Sequence, residues 1–227
     1  MPTLHRHYLA IHMPKTGGTW LASVLAADGG HPVGLQHQQV SHDVPPTWRE
    51  GRVVIGTMRD PWSWYASWHA HALSRPECRA ELMAWGGGST DLRAVLEGVT
   101  RDRRRAPGHP GVIWPEMGQG DLLVGSGLWT SALRWSYGQG EEWGTEILLD
   151  CAQLHRAAGG LGLSDLPPPI NTAEEKGRTY TLDGWDEEMV EWVDIADGPL
   201  ARALGYSGPG EPAHSPLIQP NRWAVAA

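Results

Sequence analysis

Two short segments carry the residue types that bind oxyanions, and each follows an apolar run of sequence. The first spans residues 12–21 and reads His-Met-Pro-Lys-Thr-Gly-Gly-Thr-Trp-Leu. The second spans residues 59–67 and reads Arg-Asp-Pro-Trp-Ser-Trp-Tyr-Ala-Ser. Glycines, hydroxyls and a lysine at the start of a helix predict a phosphate-binding loop. The arginine and serine of the second segment predict a further anion site.

The first segment predicts a site built largely from backbone. A strand, a glycine-rich turn and a helix N-terminus leave first-turn N–H groups unpaired, and the helix dipole adds positive potential. Gly17 and Gly18 allow the backbone to approach an oxyanion closely. We expect Lys15 to add a charge and the hydroxyls of Thr16 and Thr19 to add donors. The lysine precedes the glycines, so the segment is not a Walker A loop, which reads G-x-x-x-x-G-K-[ST].

The second segment predicts a site for another phosphate. Arg59 ends an apolar strand, and Ser67 lies eight residues later on the helix that follows. An arginine can donate two parallel hydrogen bonds to phosphate oxygens, and a hydroxyl completes the set of donors. The simpler interpretation is an arginine that closes a strand beside an incidental serine. That interpretation weakens because the first segment precedes this one by about forty residues.

Together the segments resemble the nucleotide site of sulfotransferases that use 3′-phosphoadenosine 5′-phosphosulfate (PAPS). Pro-Lys-Thr-Gly-Gly-Thr-x-Leu is similar to their 5′-phosphosulfate loop, and Arg-Asp-Pro followed by the serine is similar to their 3′-phosphate motif. The resemblance implies a three-layer, P-loop-like α/β fold with a central parallel sheet flanked by helices. It implies PAPS as co-substrate, without a metal. The residues that it assigns to the nucleotide are Lys15, Thr16, Gly17, Gly18, Thr19, Trp20, Arg59 and Ser67.

A weaker match lies towards the C-terminus. The sequence Lys-Gly-Arg-Thr-Tyr at residues 176–180 is similar to a loop of glycosaminoglycan sulfotransferases that contacts the same 3′-phosphate. The family usually has proline after this loop, whereas this chain has Thr181. The resemblance adds Lys176, Gly177 and Arg178 as nucleotide contacts, and a solvated turn stays open as the alternative.

Sulfuryl transfer needs a base that takes the proton of the acceptor hydroxyl or amine as it attacks sulfur. Histidine suits this role near neutral pH, and the candidates between the two segments are His31, His37 and His42. His37 stands 22 residues before Arg59, a spacing that resembles several sulfotransferase branches. His42 is its competitor, because its Ser-His-Asp-Val-Pro context also looks family-like. Lys15 is expected to offset the charge that builds on the bridging oxygen.

Apolar runs and turn residues predict strands that alternate with helices, which is typical of a parallel α/β sheet. The predicted strands cover residues 8–11, 53–58, 122–124 and 146–149. The predicted helices cover residues 19–27, 61–73, 91–99, 129–137, 151–158 and 186–204, the last with a break at Gly198-Pro199. The candidate acceptor-binding insertion covers residues 75–121 and includes arginines 101 and 103–105. Residues 207–227 are expected to form a loosely ordered, proline-rich tail.

Length and composition limit the number of domains, the partners and the cellular compartment that we expect. A chain of 227 residues predicts one domain, and a net charge of −8 argues against nucleic acid as a partner. Two cysteines predict no disulfide framework and fit a reducing compartment, so we expect a cytoplasmic protein. The chain lacks the apolar run of about 18 residues that a membrane span needs. Its 13 tryptophans fill the core or line an acceptor pocket.

The sequence therefore favours a sulfotransferase that transfers a sulfuryl group from PAPS to a small-molecule or glycan acceptor. A P-loop kinase or NTPase is the first alternative, since Asp60 and Asp150 follow apolar runs and could hold magnesium. A nucleotide-binding protein that has lost catalysis is the second. Retention of Lys15, Arg59 and Ser67 argues against this second alternative.

Overall fold

A computed structural model describes residues 1–34, 44–101, 126–139, 142–164, 166–168 and 182–220. Its strands are β1 (Thr3–Leu4), β2 (Tyr8–Ala10), β3 (His31–Pro32), β4 (Val53–Met58), β5 (Gly138–Gln139), β6 (Glu142–Trp143), β7 (Ile147–Asp150) and β8 (Leu217–Ile218). Its α-helices are α1 (Gly18–Ala27), α2 (Pro46–Arg49), α3 (Pro61–Leu73), α4 (Arg79–Trp85), α5 (Leu92–Thr100), α6 (Leu128–Tyr137), α7 (Leu154–Gly160) and α8 (Glu187–Ala203). Short 3₁₀ helices cover Pro76–Cys78 and Cys151–Gln153.

The fold is α/β, and its main sheet has six strands in the order β3-β1-β2-β4-β7-β8. Strand β4 pairs in parallel with β2 and with β7, whereas the outer pairs are antiparallel. The predicted parallel sheet is therefore confirmed only for the central strands β2, β4 and β7, and the sheet as a whole is mixed. Only three residues join β1 to β2, and so short a connection permits only an antiparallel pair. The parallel strands β2, β4 and β7 end at one edge of the sheet, where both predicted anion segments begin.

Helices cover both faces of the sheet. On β4, Ile55 packs in an apolar cluster with residues of α1 and α7, whereas Val54 packs in a second cluster with residues of α3, α5, α6 and α8. Because adjacent residues of a strand point to opposite faces, β4 is buried from both sides. Nine tryptophans of the described ranges are buried, so core packing accounts for much of the tryptophan content. None of the helices described combines the length and the apolar character needed to cross a bilayer.

Helix α8 runs unbroken through Pro199, so the predicted break is wrong. Pro199 lacks the N–H that would bond the carbonyl of Ile195. Ile195 is 69% exposed, so water can reach this turn and hydrate that carbonyl. The helix is also fixed along its buried face, which includes Trp192 and Val193. One missing hydrogen bond is compatible with a continuous helix in this setting.

The described part of the C-terminal segment, residues 207–220, is packed and not loose. Strand β8 pairs with β7, with Ile218 opposite Leu148. Upstream of it, the Ala213 N–H donates to the buried carboxylate of Asp150 at 3.1 Å. The proline content of the segment hid this pairing, since β8 has only two residues and no periodic pattern.

The described half of the candidate insertion is helical. It contains the 3₁₀ turn at residues 76–78, α4 and α5, and α5 packs against α8. Trp85 and Leu96 are buried between these helices. Arginines 103–105 and the predicted strand at residues 122–124 lie outside the described residues. The described part of this stretch, whose sequence pattern is the least regular in the chain, therefore forms helices that contribute to the core.

Three buried tyrosines make the fold sensitive to alkali. Burial raises the pKa of Tyr137 to about 12. Burial, followed by a neighbouring carboxylate, raises the pKa of Tyr65 and of Tyr206 well above 10. The folded state holds these protons more tightly, so its stability is full below about pH 10 and falls as pH rises above that. We expect a loss of about 1.4 kcal/mol per pH unit for each tyrosine, until its folded pKa is reached.

Urea unfolding between about pH 8 and pH 11 measures this loss, and Tyr206→Phe should reduce its slope by about one third. A free energy of unfolding that stays constant from about pH 9 to pH 11 would contradict the assignment of these tyrosines as buried and neutral.

Candidate functional site

The first anion segment forms the turn between β2 and α1. Gly17 is the N-cap of α1 with φ of 84°, and Lys15 has φ of 70°. The left-handed region suits glycine but costs about 1–2 kcal/mol for a residue such as lysine. A turn with this backbone persists because the surrounding structure holds it.

Buried hydrogen bonds hold the turn. The Thr16 hydroxyl donates to the Met13 carbonyl at 2.6 Å and lies 2.8 Å from the hydroxyl of Thr57 on β4. The indole N–H of Trp64 donates to the Pro14 carbonyl at 3.0 Å. Thr16 is fully buried and its single proton is committed to Met13. The predicted bond from the Thr16 hydroxyl to a phosphate therefore gains no support from this placement, in which the hydroxyl shapes the turn.

The N-terminus of α1 presents unused donors. In the part of the chain that the structure describes, no group accepts from the N–H of Gly17, Gly18 or Thr19. The first turn of α1 has no side-chain cap and no acidic residue. By contrast, the N–H of Trp20 donates to the Gly17 carbonyl at 3.0 Å. Three backbone donors and the positive end of a helix dipole therefore meet at this turn.

Trp20 faces the protein interior. Its side chain is 3% exposed, and its indole N–H donates to the Pro167 carbonyl at 2.9 Å. The ring lies 4.7 Å from the His155 ring, measured between centroids. The prediction of Trp20 as a nucleotide contact gains no support from this placement, because the side chain is buried and its one polar group, the indole N–H, is used within the fold.

The side chain of His12 packs so close to Gly18 that position 18 has no room for a side chain. A Cβ at position 18 would lie 2.1 Å from the Cβ of His12, which is an impossible contact. We expect Gly18→Ala to lower the free energy of unfolding by about 1–3 kcal/mol, because His12 and the turn must move apart. Urea unfolding measures this. Gly159→Ala is the matched control, since its Cβ meets no atom within 4 Å and it lies in α7. Equal stability of the two variants would contradict this account of Gly18.

Arg59 lies directly after β4, half-buried at the same sheet edge. Its Nη2 donates to the Cys151 sulfur at 3.4 Å, and its backbone carbonyl accepts from the Trp129 indole N–H at 3.1 Å. No carboxylate of the described residues forms an ion pair with this guanidinium. Burial alone would lower the pKa of Arg59, but Cys151 and Asp60 outweigh it and raise that pKa. Among the described residues, a permanent charge with five donors thus has one weak side-chain acceptor.

Cys151 joins the two segments. Its sulfur contacts Arg59, and it would lie 3.3 Å from a Cβ placed on Gly17. The glycine turn and the arginine are therefore one side chain apart, at the neighbouring ends of β2, β4 and β7. Sequence reasoning missed Cys151, although its position after the apolar run 147–150 could have suggested it. Backbone N–H donors and a guanidinium thus lie close together at this edge of the sheet, an arrangement suited to anionic groups.

The carboxylates that follow β4 and β7 are engaged within the protein. Asp60 caps α3 by accepting from the Ser63 N–H at 2.8 Å, and it also accepts from the Gly210 N–H at 3.3 Å. Burial raises the pKa of Asp60. The buried oxygens of Asp150 accept four hydrogen bonds, from Ala152, Gln153, Tyr206 and Ala213. Asp150 therefore has no lone pair left for a cation.

The remaining predicted residues are placed as follows. Ser67 is on α3 and 2% exposed, Lys15 is half-buried and Thr19 is exposed. His31 is exposed on the edge strand β3. His37, His42, Lys176, Gly177 and Arg178 lie outside the described residues, so their roles stay predictions. Within the described ranges, histidine, cysteine, aspartate and glutamate side chains form no group of three that could hold a metal ion.

Comparison of the chain with family models, with curated proteins and with solved structures finds no match. The motifs and the geometry of the sheet edge are therefore the features that point to a function.

Proposed function

We propose that this protein is a PAPS-dependent sulfotransferase with a P-loop-like fold. The observation that carries the proposal is the half-buried Arg59 guanidinium, whose one acceptor among the described residues is a thiol sulfur. It lies one side chain away from a turn with three unused N–H donors. Two donor sets at such close quarters favour a ligand with two anionic groups.

The residues present fit such a nucleotide. The N–H groups of Gly17, Gly18 and Thr19, together with Lys15, would hold the 5′-phosphosulfate. Arg59 would hold the 3′-phosphate together with Ser67, and Lys176, Gly177 and Arg178 would add contacts to it. When bound, PAPS supplies an activated sulfuryl group. The turn is already shaped before binding, because Thr16 and Trp64 fix its carbonyls.

The chain supplies the acid–base chemistry. A histidine, His37 or its competitor His42, takes the proton from the acceptor hydroxyl or amine. Lys15 offsets negative charge at the end of the glycine turn, where the leaving group develops it. The acceptor is a small molecule or a glycan, and residues 75–121 are the segment proposed to bind it.

A P-loop kinase or NTPase fits less well. That chemistry needs a carboxylate that can bind magnesium after a core strand. Asp150 occupies this position on β7 and accepts four hydrogen bonds from the protein, and Asp60 caps α3. All four acceptor positions of Asp150 are thus used within the protein, and Asp60 uses one of its oxygens to hold α3 and Gly210, which makes both carboxylates less available to magnesium.

Calorimetric titration with adenosine 3′,5′-bisphosphate, AMP and ATP–Mg²⁺ tests the proposal. We expect the bisphosphate to bind without metal and at least about tenfold more tightly than AMP, since AMP leaves Arg59 without its phosphate. Binding of ATP–Mg²⁺ alone would replace the proposal with a kinase or NTPase. Absence of binding to all three would refute the nucleotide site.

A further inference from the structure

A tyrosine hydroxyl lies beneath the glycine turn. Tyr137, the last residue of α6, is fully buried. Its hydroxyl accepts from the N–H of Met13 at 2.8 Å and from the N–H of Thr57 at 3.1 Å. The same hydroxyl donates to the Thr57 carbonyl at 2.7 Å. One donor and two acceptor positions are thus all used, which is the full capacity of a hydroxyl.

These bonds lie where β2 and β4 separate. The N–H of Ile11 donates directly to the Ile55 carbonyl at 2.9 Å, which is the last direct bond between the two strands. In a parallel ladder the next two bonds would run from the Thr57 N–H to the Ile11 carbonyl and from the Met13 N–H to the Thr57 carbonyl. The Tyr137 hydroxyl instead accepts from both of these N–H groups and donates to the Thr57 carbonyl. A side chain thus takes the place of two successive bonds of the ladder.

We propose that Tyr137 is a positioning residue, which wedges β2 and β4 apart and thereby sets the distance between the glycine turn and Arg59. Met13 leads directly into the turn, and Thr57 is two residues before Arg59. Both anion sites are therefore tied to one oxygen atom. This inference rests on the proposed function for its ligand, while the wedge itself concerns the ligand-free protein.

The sequence makes room for this wedge. A Cβ at position 56 would lie 2.6 Å from the Tyr137 ring, so glycine at this position of β4 admits the ring. The pKa of Tyr137, which burial raises to about 12, keeps the hydroxyl protonated at neutral pH. The oxygen can then donate and accept at the same time.

Tyr137→Phe tests the proposal, because it removes one oxygen and lets Met13 pair directly with Thr57. We expect the strands to close, the affinity for adenosine 3′,5′-bisphosphate to fall at least about tenfold, and the preference for it over AMP to shrink. Amide exchange in residues 15–20 should become faster. Calorimetry and hydrogen exchange measure these effects.

Tyr65→Phe is the matched control. Tyr65 is equally buried, and its hydroxyl bonds Asp197 at 2.8 Å and the N–H of Trp129 at 3.1 Å, so it bonds neither Met13 nor Thr57. Tyr65→Phe should lower the free energy of unfolding while keeping the affinity for adenosine 3′,5′-bisphosphate and the preference for it over AMP. Equal loss of affinity in Tyr137→Phe and Tyr65→Phe would contradict the proposal, because Tyr137 would then act only as one of several core residues. Unchanged affinity and exchange in Tyr137→Phe would overturn the proposal.

Amide exchange in the wild-type protein gives an independent check, should Tyr137→Phe fail to fold. The Met13 amide should exchange as slowly as the Ile11 amide, because both N–H groups are bonded within the sheet. Exchange of Met13 at the rate of an exposed loop would overturn the wedge. If the wild-type protein binds no bisphosphate while Met13 is protected, the proposed function fails and the wedge stands.

Discussion

Replacement of Arg59 by alanine is expected to weaken binding of adenosine 3′,5′-bisphosphate by about 2–5 kcal/mol, which is roughly a 30- to 5,000-fold loss of affinity. The guanidinium is half-buried and its one described acceptor is the Cys151 sulfur, so a phosphate would become its main partner. Removing it leaves a charged phosphate poorly compensated in a partly desolvated position. Calorimetry with the bisphosphate and with AMP measures the effect, and AMP affinity should change little.

Arg156→Ala is the matched control for net charge. Arg156 is exposed on α7, which follows the same sheet edge, and donates to Gln153 at 3.4 Å. It removes the same charge without removing the donors beside Cys151. Arg59→Lys should recover part of the affinity, since lysine keeps the charge but not the two parallel donors. Similar affinity in Arg59→Ala and Arg156→Ala would exclude Arg59 from the nucleotide site.

The central elements of the fold could be predicted from sequence because local signals define them. Strand β4 is a six-residue run of mainly apolar and β-branched residues, and its predicted bounds match those observed. Helix α3 also matches, since Asp60 and Pro61 give its first turn an N-cap and a favourable first residue. The two-residue strands β1, β3 and β8 carry no such signal, because pairing with distant segments creates them. For this reason the mixed character of the sheet could not be predicted.

In the candidate site, too, residues in local motifs could be predicted and residues brought in by distant contacts could not. The glycine turn and Arg59 could be predicted, since each is a contiguous motif at the end of a strand. Cys151 contacts Arg59 across 92 residues of sequence, and Tyr137 bonds Met13 across 124. Neither residue belongs to a motif, and each reaches the site because the strands and α6 meet there. Thr16 shows the reverse case, because a residue type suited to phosphate makes its hydrogen bonds within the protein, which the motif alone does not reveal.

Replacement of His37 by alanine is expected to lower kcat for sulfuryl transfer by about 10²–10⁴, while affinity for adenosine 3′,5′-bisphosphate is kept. A general base acts on the acceptor proton and not on the phosphates, so the two measurements should separate. Steady-state kinetics of sulfuryl transfer from PAPS to an acceptor found by screening gives kcat, and calorimetry gives the affinity. The loss should be largest at the pH where the wild-type base is neutral.

Variants of His31 and His42 serve as the control and as the test of the competing base. His31→Ala is the control, since His31 is exposed on the edge strand β3 and should leave kcat unchanged. His42→Ala tests the competitor for the role of base. A drop in kcat confined to His42→Ala would transfer the role to His42, and full activity in both His37→Ala and His42→Ala would exclude a histidine base from this stretch. Loss of bisphosphate affinity in His37→Ala would instead make His37 a part of the nucleotide site, because a base that acts only on the acceptor leaves phosphate binding intact.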